Sequence, residues 1–70
     1  MTKSEERRWR EYYAASARRW KHNPWALVGN LEAIMGFQDL TAGQKIRRMQ
    51  LAIEAYNEAM KEASSNAEKI

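Results

Sequence analysis

Cysteine is absent from these 70 residues, histidine and proline occur once each, and glycine three times. No disulfide can form, and a structural zinc would have only His22 as a nitrogen ligand. Chains below about 70–80 residues seldom bury enough core to be comfortably stable alone. With those two staples gone, an efficient helical core or oligomerisation remains. No apolar run approaches the ~18–20 residues of a membrane span. The charged start, Met1-Thr2-Lys3-Ser4-Glu5-Glu6-Arg7-Arg8, lacks the apolar stretch of a secretory signal. The expectation is one cytoplasmic domain over 1–70, with no membrane association.

What is present is helical pattern and segregated charge. Residues 1–22 hold seven Lys/Arg against three Glu, residues 23–48 three against two, and residues 49–70 two against four. The chain thus has a basic head and a mildly acidic tail. Such asymmetry suits an acidic protein surface, nucleic acid, or a second copy laid antiparallel.

The pattern predicts an all-α fold of three helices, about 4–22, 24–35 and 42–64, with a frayed tail from about 65. Thr2 with Glu5, and Thr41 with Gln44, have capping-box spacing. Asn23-Pro24 closes the first helix and opens the second, since Asn suits the N-cap and Pro the first helical position. Gly36 is expected as a left-handed C-cap. On the first helix Trp9, Tyr12, Tyr13, Ser16 and Trp20 share a face, with Arg7, Arg18 and Lys21 opposite and Arg8, Arg10 and Arg19 on the flanks. The second helix carries an apolar stripe of Leu27, Val28, Leu31, Ile34 and Met35. On the third, Ile46, Met49, Ile53, Tyr56, Met60, Ala63 and Ala67 alternate by three and four, a heptad seam. Ala52 and Ala59 flank it, and Leu51 falls on the opposite, outward side. The helices form either a small bundle or a helical hairpin completed by dimerisation.

Catalytic chemistry finds no constellation here. His22 has no nucleophile at helical-neighbour spacing and is expected to face solvent in the last turn of the first helix. Glu54, Glu58 and Glu62 repeat every four residues, but a carboxylate metal site in a bundle usually adds histidine from another helix. They are expected to form a solvated acidic face. Gly29, Gly36 and Gly43 form no phosphate loop. The chain is therefore expected to be no enzyme and to hold no metal or cofactor.

Binding has better candidates. Arg7, Arg8, Trp9, Arg18, Arg19, Trp20 and Trp25 are of the residue types that dominate protein hot spots. Trp25 points away from the Leu27/Leu31 stripe of its own helix and is expected either to pack back or to stand exposed. The aromatics of the first helix are open to two readings, core or interface. Ile46, Met49, Ile53, Tyr56 and Met60 are the candidate seam of a homodimer. Leu51, with Phe37 and Leu40, is expected to add a small surface patch. These features point to an adaptor or inhibitor of a larger protein. The rival is a basic DNA-binding regulator of helix-turn-helix type, its third helix starting with Lys45, Arg47 and Arg48 before turning acidic.

In size, helical content, the Glu5-Glu6-Arg7-Arg8-Trp9-Arg10 head and the long heptad tail, the chain resembles the small early proteins by which bacteriophages redirect their hosts, such as anti-CRISPR proteins. Among these it is similar in kind to the quorum-sensing anti-activator of Mu-like Pseudomonas phages. That resemblance implies binding to a transcriptional activator of the LuxR type and to a pilus-assembly ATPase. It carries no residue roles over to this sequence.

Overall fold

A computed structural model describes the backbone of residues 2–68 and the side chains of residues 2–64. It contains three helices, α1 (Lys3–Arg19), α2 (Pro24–Gly36) and α3 (Ala42–Glu68), and no strand among the described residues. The local chemistry accounts for each start. The Thr2 hydroxyl accepts from the Glu5 amide at 3.1 Å. Asn23 Oδ1 accepts from the Trp25 amide at 2.9 Å, and Pro24 opens α2. Thr41 and Gln44 satisfy each other's amides reciprocally, at 2.9 and 3.2 Å. Each bond uses an amide that an α-helix leaves unpaired at its start.

Two helix ends differ from expectation. α1 stops at Arg19, three residues early, and α3 continues to Glu68, past the expected fraying at Ser64. Lys69 and Ile70 lie outside the described residues. Gly36 is still helical, and no glycine has a positive φ. The left-handed residues are Lys21 (φ 55°) and His22 (φ 61°), in the turn after α1. Two consecutive residues in this region turn the chain sharply enough to send α2 back along α1.

Cross-helix bonds fix the topology. Glu6 meets Arg47, Arg10 meets Glu54 and Arg18 meets Glu62, at 2.8–2.9 Å. Both members of each pair advance together, so α1 and α3 run parallel. Asn30 to Ser16 and Lys45 to the Met35 carbonyl place α2 antiparallel to both. The three helices form a compact bundle.

The core lies where α3 meets α1. Its buried residues are Tyr13 and Ala17 of α1, Ile34 of α2, and Leu51, Ala52, Ala55 and Ala59 of α3. Trp9, Leu27, Leu31 and Met49 close over it. Alanine supplies most of the buried positions of α3, and small contact side chains let helix axes approach closely.

This register corrects the expectation for α3. Leu51, expected outward, is completely buried. It shares a flank of α3 with Arg47 and Glu54, whose partners stand on α1. The heptad seam splits into two lines. Met49 and Tyr56 are half-buried toward α2, while Ile46, Ile53 and Met60 are exposed. Ala63 is half-buried, and the side chain of Ala67 lies outside the described residues.

One charge sits inside. Arg48 is 8% exposed, and its guanidinium lies 3.4 Å from the centre of the Trp9 ring and 5.3 Å from that of Phe37. Among the described residues it has no ion-pair partner, and its Nε has no hydrogen bond. Aromatic faces take the place of a carboxylate, an attraction worth about 2 kcal/mol when desolvated. The Tyr13 hydroxyl is pushed above its ordinary pKa by burial, with nearby Arg48 opposing the shift.

Two stability outcomes follow. Leu51→Ala is expected to lower the unfolding free energy by about 2–5 kcal/mol in urea titration, the cost of an unfilled core site; a solvent-facing leucine would change it by only ~0.5. Arg48→Met retains the volume and removes the buried charge, so it is expected to leave stability within about 1 kcal/mol, whereas Arg48→Ala loses ~2 kcal/mol or more. Thermal melts followed by circular dichroism compare the pair.

Candidate binding face of α1 and α2

Arg8, Tyr12, Ala15 and Arg19 are spaced by four, three and four residues, which stacks them in one line along α1. The line looks outward. Tyr12 is 57% exposed, Trp20 at the end of α1 is 60% exposed, and Trp25 in the first turn of α2 is 74% exposed. Three large aromatics so exposed on a 70-residue chain depart from ordinary burial.

They surround two adjoining clefts. One, of about 410 Å³, is lined by Ser16, Trp20, Asn23, Trp25, Ala26, Gly29 and Asn30. The other, of about 270 Å³, lies between Tyr12, Ala15, Ser16, Arg19, Trp20 and Asn30. Ser16, Trp20 and Asn30 belong to both, so Trp20 stands as the wall between them. Their shared floor is the 3.2 Å hydrogen bond from Asn30 Nδ2 to Ser16 Oγ. Gly29 leaves its side of the first cleft open, and a Cβ there would meet nothing within 4 Å.

The turn between α1 and α2 holds the two tryptophans in place. The His22 amide donates to the Ala17 carbonyl at 2.8 Å, and the Asn23 amide to the Trp20 carbonyl at 3.1 Å. Tyr56 of α3 donates its hydroxyl to the His22 carbonyl at 2.8 Å. His22 is half-buried in this turn, not solvent-facing within the last turn of α1. Its contribution is a backbone carbonyl and a left-handed φ.

The electrostatics divide the arginines. Arg18 is tied to Glu62 and Arg10 to Glu54. Arg47 grips both carboxylate oxygens of Glu6, at 2.8 and 3.1 Å, and this bonding holds the Glu6 pKa below its usual value. Among the described residues, Arg8 and Arg19 enter no ion pair and flank Tyr12 on the open face.

Of the seven residues singled out by sequence, Arg8, Arg19, Trp20 and Trp25 share this face. Arg7 stands apart in a shallow groove with Lys3, Glu6 and Arg10. Trp9 is half-buried under Arg48. Its ring also stacks at 6.0 Å on Tyr13 and meets Tyr12 edge-on at 5.6 Å. The aromatic face of α1 is therefore divided, with Trp9 and Tyr13 turned inward and Tyr12 and Trp20 outward. Sequence reading missed the cleft-lining residues Asn30 and Gly29. A glycine and an asparagine inside a helix without packing need were the available signal.

Among the described residues no cluster of three or more His, Cys, Asp or Glu is placed to hold a metal, and no helix is long and apolar enough to cross a membrane. Glu54 and Glu62 of the expected acidic face are engaged with arginines of α1. Comparison with protein-family models, curated proteins and solved structures finds no match to this chain.

The turn makes its own prediction. A left-handed backbone costs a residue with a Cβ roughly 1–2 kcal/mol, and glycine nothing sterically. His22→Gly keeps the carbonyl that Tyr56 uses. It is expected to raise the melting temperature modestly, by up to ~1 kcal/mol of stability once the looser unfolded chain is counted; calorimetry reads the change.

Proposed function

We propose that this chain acts by binding and not by catalysis, as a small adaptor or inhibitor that docks a larger protein on the α1–α2 face. The carrying observation is the exposure of Tyr12, Trp20 and Trp25 around two open clefts, with Arg8 and Arg19, in no ion pair among the described residues, alongside. Tryptophan and tyrosine anchors supply most of the affinity in such interfaces, and arginines steer the approach. The clefts accept side chains of the partner, and the Ser16–Asn30 floor offers them polar contacts. An acidic partner surface complements Arg8 and Arg19.

The setting we propose is the cytoplasm, with the chain self-associated as a homodimer. A host regulatory protein, such as a transcriptional activator of the LuxR type, is the kind of target that the phage-protein resemblance suggests. The DNA-binding alternative has less support. Its basic residues at the start of α3 are occupied: Lys45 donates to the Met35 carbonyl, Arg47 pairs with Glu6, and Arg48 is buried.

Capture from host lysate with the wild-type chain, followed by mass spectrometry, identifies the target. Against that target, Trp20→Ala and Trp25→Ala are each expected to weaken binding by about 30-fold or more, a hot-spot loss of ~2 kcal/mol. Gly29→Leu is expected to fill the larger cleft and block binding while the fold stays intact. Arg8→Ala with Arg19→Ala should chiefly slow association and flatten its salt dependence. Tight DNA binding with a steep salt slope, lost in that double arginine variant and indifferent to Trp25→Ala, would reverse the assignment.

A further inference from the structure

Charge on α3 is sorted by flank. At about 100° per residue, Arg47, Glu54, Glu58 and Glu62 fall on the side facing α1, where three of them form the ion pairs described above, and Lys61 stands at the outer border between the two flanks. The other flank consists of Ile46, Met49, Gln50, Ile53, Tyr56, Asn57 and Met60, without a charge over four turns. Ile46, Ile53 and Met60 repeat every seven residues along it and are exposed.

α2 widens this strip. Asn30 faces α1 through Ser16, and Val28 and Met35, seven residues apart, lie around the helix from it on the α3 side. Both are exposed, and Lys45 of α3 reaches the Met35 carbonyl. The Val28–Met35 line and the Ile46–Ile53–Met60 line therefore border one seam. Together they expose roughly 400 Å² of apolar surface, as large as the biggest patch of a typical monomer.

We infer that a second copy of the chain docks here, α3 against α3 and antiparallel, with the two-fold axis passing Ile53. This rests on the proposed homodimer and fixes its face and orientation. Three observations favour a second copy over another partner. The strip is its own complement, because the axis places Ile53 on Ile53 and Ile46 on Met60, as a two-fold interface requires. Its lining side chains carry no charge on a chain of net charge +3, and the ions at its α2 border, Lys45 and Glu32, are of opposite sign; a partner steered by charge would be drawn to the arginine-bearing face instead. Its apolar area is about half of the ~800 Å² that each side of a standard interface contributes, close to the usual apolar share. Antiparallel docking also sets the α3 dipoles in opposition.

The absence of cysteine makes the test clean. Light scattering of the wild-type chain at ~100 µM should give twice the 8.2 kDa of one chain, and Ile53→Lys should return it to that single mass with unchanged helical circular dichroism. On mild oxidation Ile53→Cys should link to itself. Asn57→Cys should not, because antiparallel packing separates the two copies of residue 57 by eight residues of rise, about 12 Å, beyond the ~7 Å that a disulfide can bridge. A wild-type mass of 8.2 kDa would overturn self-association itself and the inference with it. A dimer that survives Ile53→Lys would keep self-association and overturn the face. Linking of Asn57→Cys as readily as Ile53→Cys would overturn the orientation, since a parallel pair aligns both positions. Target capture by the α1–α2 face is unaffected by any of these outcomes.

Discussion

Close parallel contact between α1 and α3 governs the other features of the molecule. Ala17, Ala52, Ala55 and Ala59 are buried, and with side chains this small the axes can approach until the larger groups are displaced to the edges. On one edge the displaced groups are ions, so Glu6, Arg10 and Arg18 of α1 find Arg47, Glu54 and Glu62 of α3. The exposed Arg10–Glu54 and Arg18–Glu62 pairs contribute little stability each, but with the part-buried Glu6–Arg47 pair they fix the axial register. At the N-terminal end of the contact Trp9 lies under Arg48. Parallel helices place their dipoles side by side, which is unfavourable, and the antiparallel α2 partly offsets this.

The punctuation of the chain was open to sequence reading, and the facing of its longest helix was not. Thr2, Asn23, Pro24 and Thr41 mark helix starts through their own hydrogen bonds, and such local chemistry is independent of the fold. Trp25 stands outside its helix stripe, as its angular position indicated. On α3, isoleucine and methionine outweigh alanine in any apolar count, so the heptad drew attention to Ile46, Ile53 and Met60. The true inner face is Arg48, Leu51, Ala52, Ala55 and Ala59. Its arginine looks like a surface residue until two aromatic rings enclose it. Gly36 likewise fitted a left-handed cap, yet Lys21 and His22 adopt that conformation. Tertiary closure, with the Tyr56 hydroxyl on the His22 carbonyl, favours what local preference disfavours.

Two outward faces result from one short helix. α2 has a single charged residue, Glu32, and covers only part of the groove between its longer neighbours. On its α1 side it leaves Tyr12, Trp20 and the clefts, beside Arg8 and Arg19, which enter no ion pair among the described residues. On its α3 side it leaves an aliphatic strip bordered by Lys45. The chain thus presents an aromatic face with positive charge and an aliphatic face whose charges stand only at its borders, and under the proposed docking the physics of recognition would differ between them. The first would favour rapid, salt-sensitive encounter, and the second slow, area-driven association.

The parallel pairing also has a kinetic side. Its ion pairs join residues 41 to 44 positions apart, so the main interface unites the first helix of the chain with the last. Helical bundles usually fold fast because neighbours in sequence are neighbours in space. Here α1 must wait for α3. Until α3 docks, Trp9, Tyr13 and the rest of the aromatic stripe have no core to enter, a period of exposure in which sticky intermediates are vulnerable to misassembly.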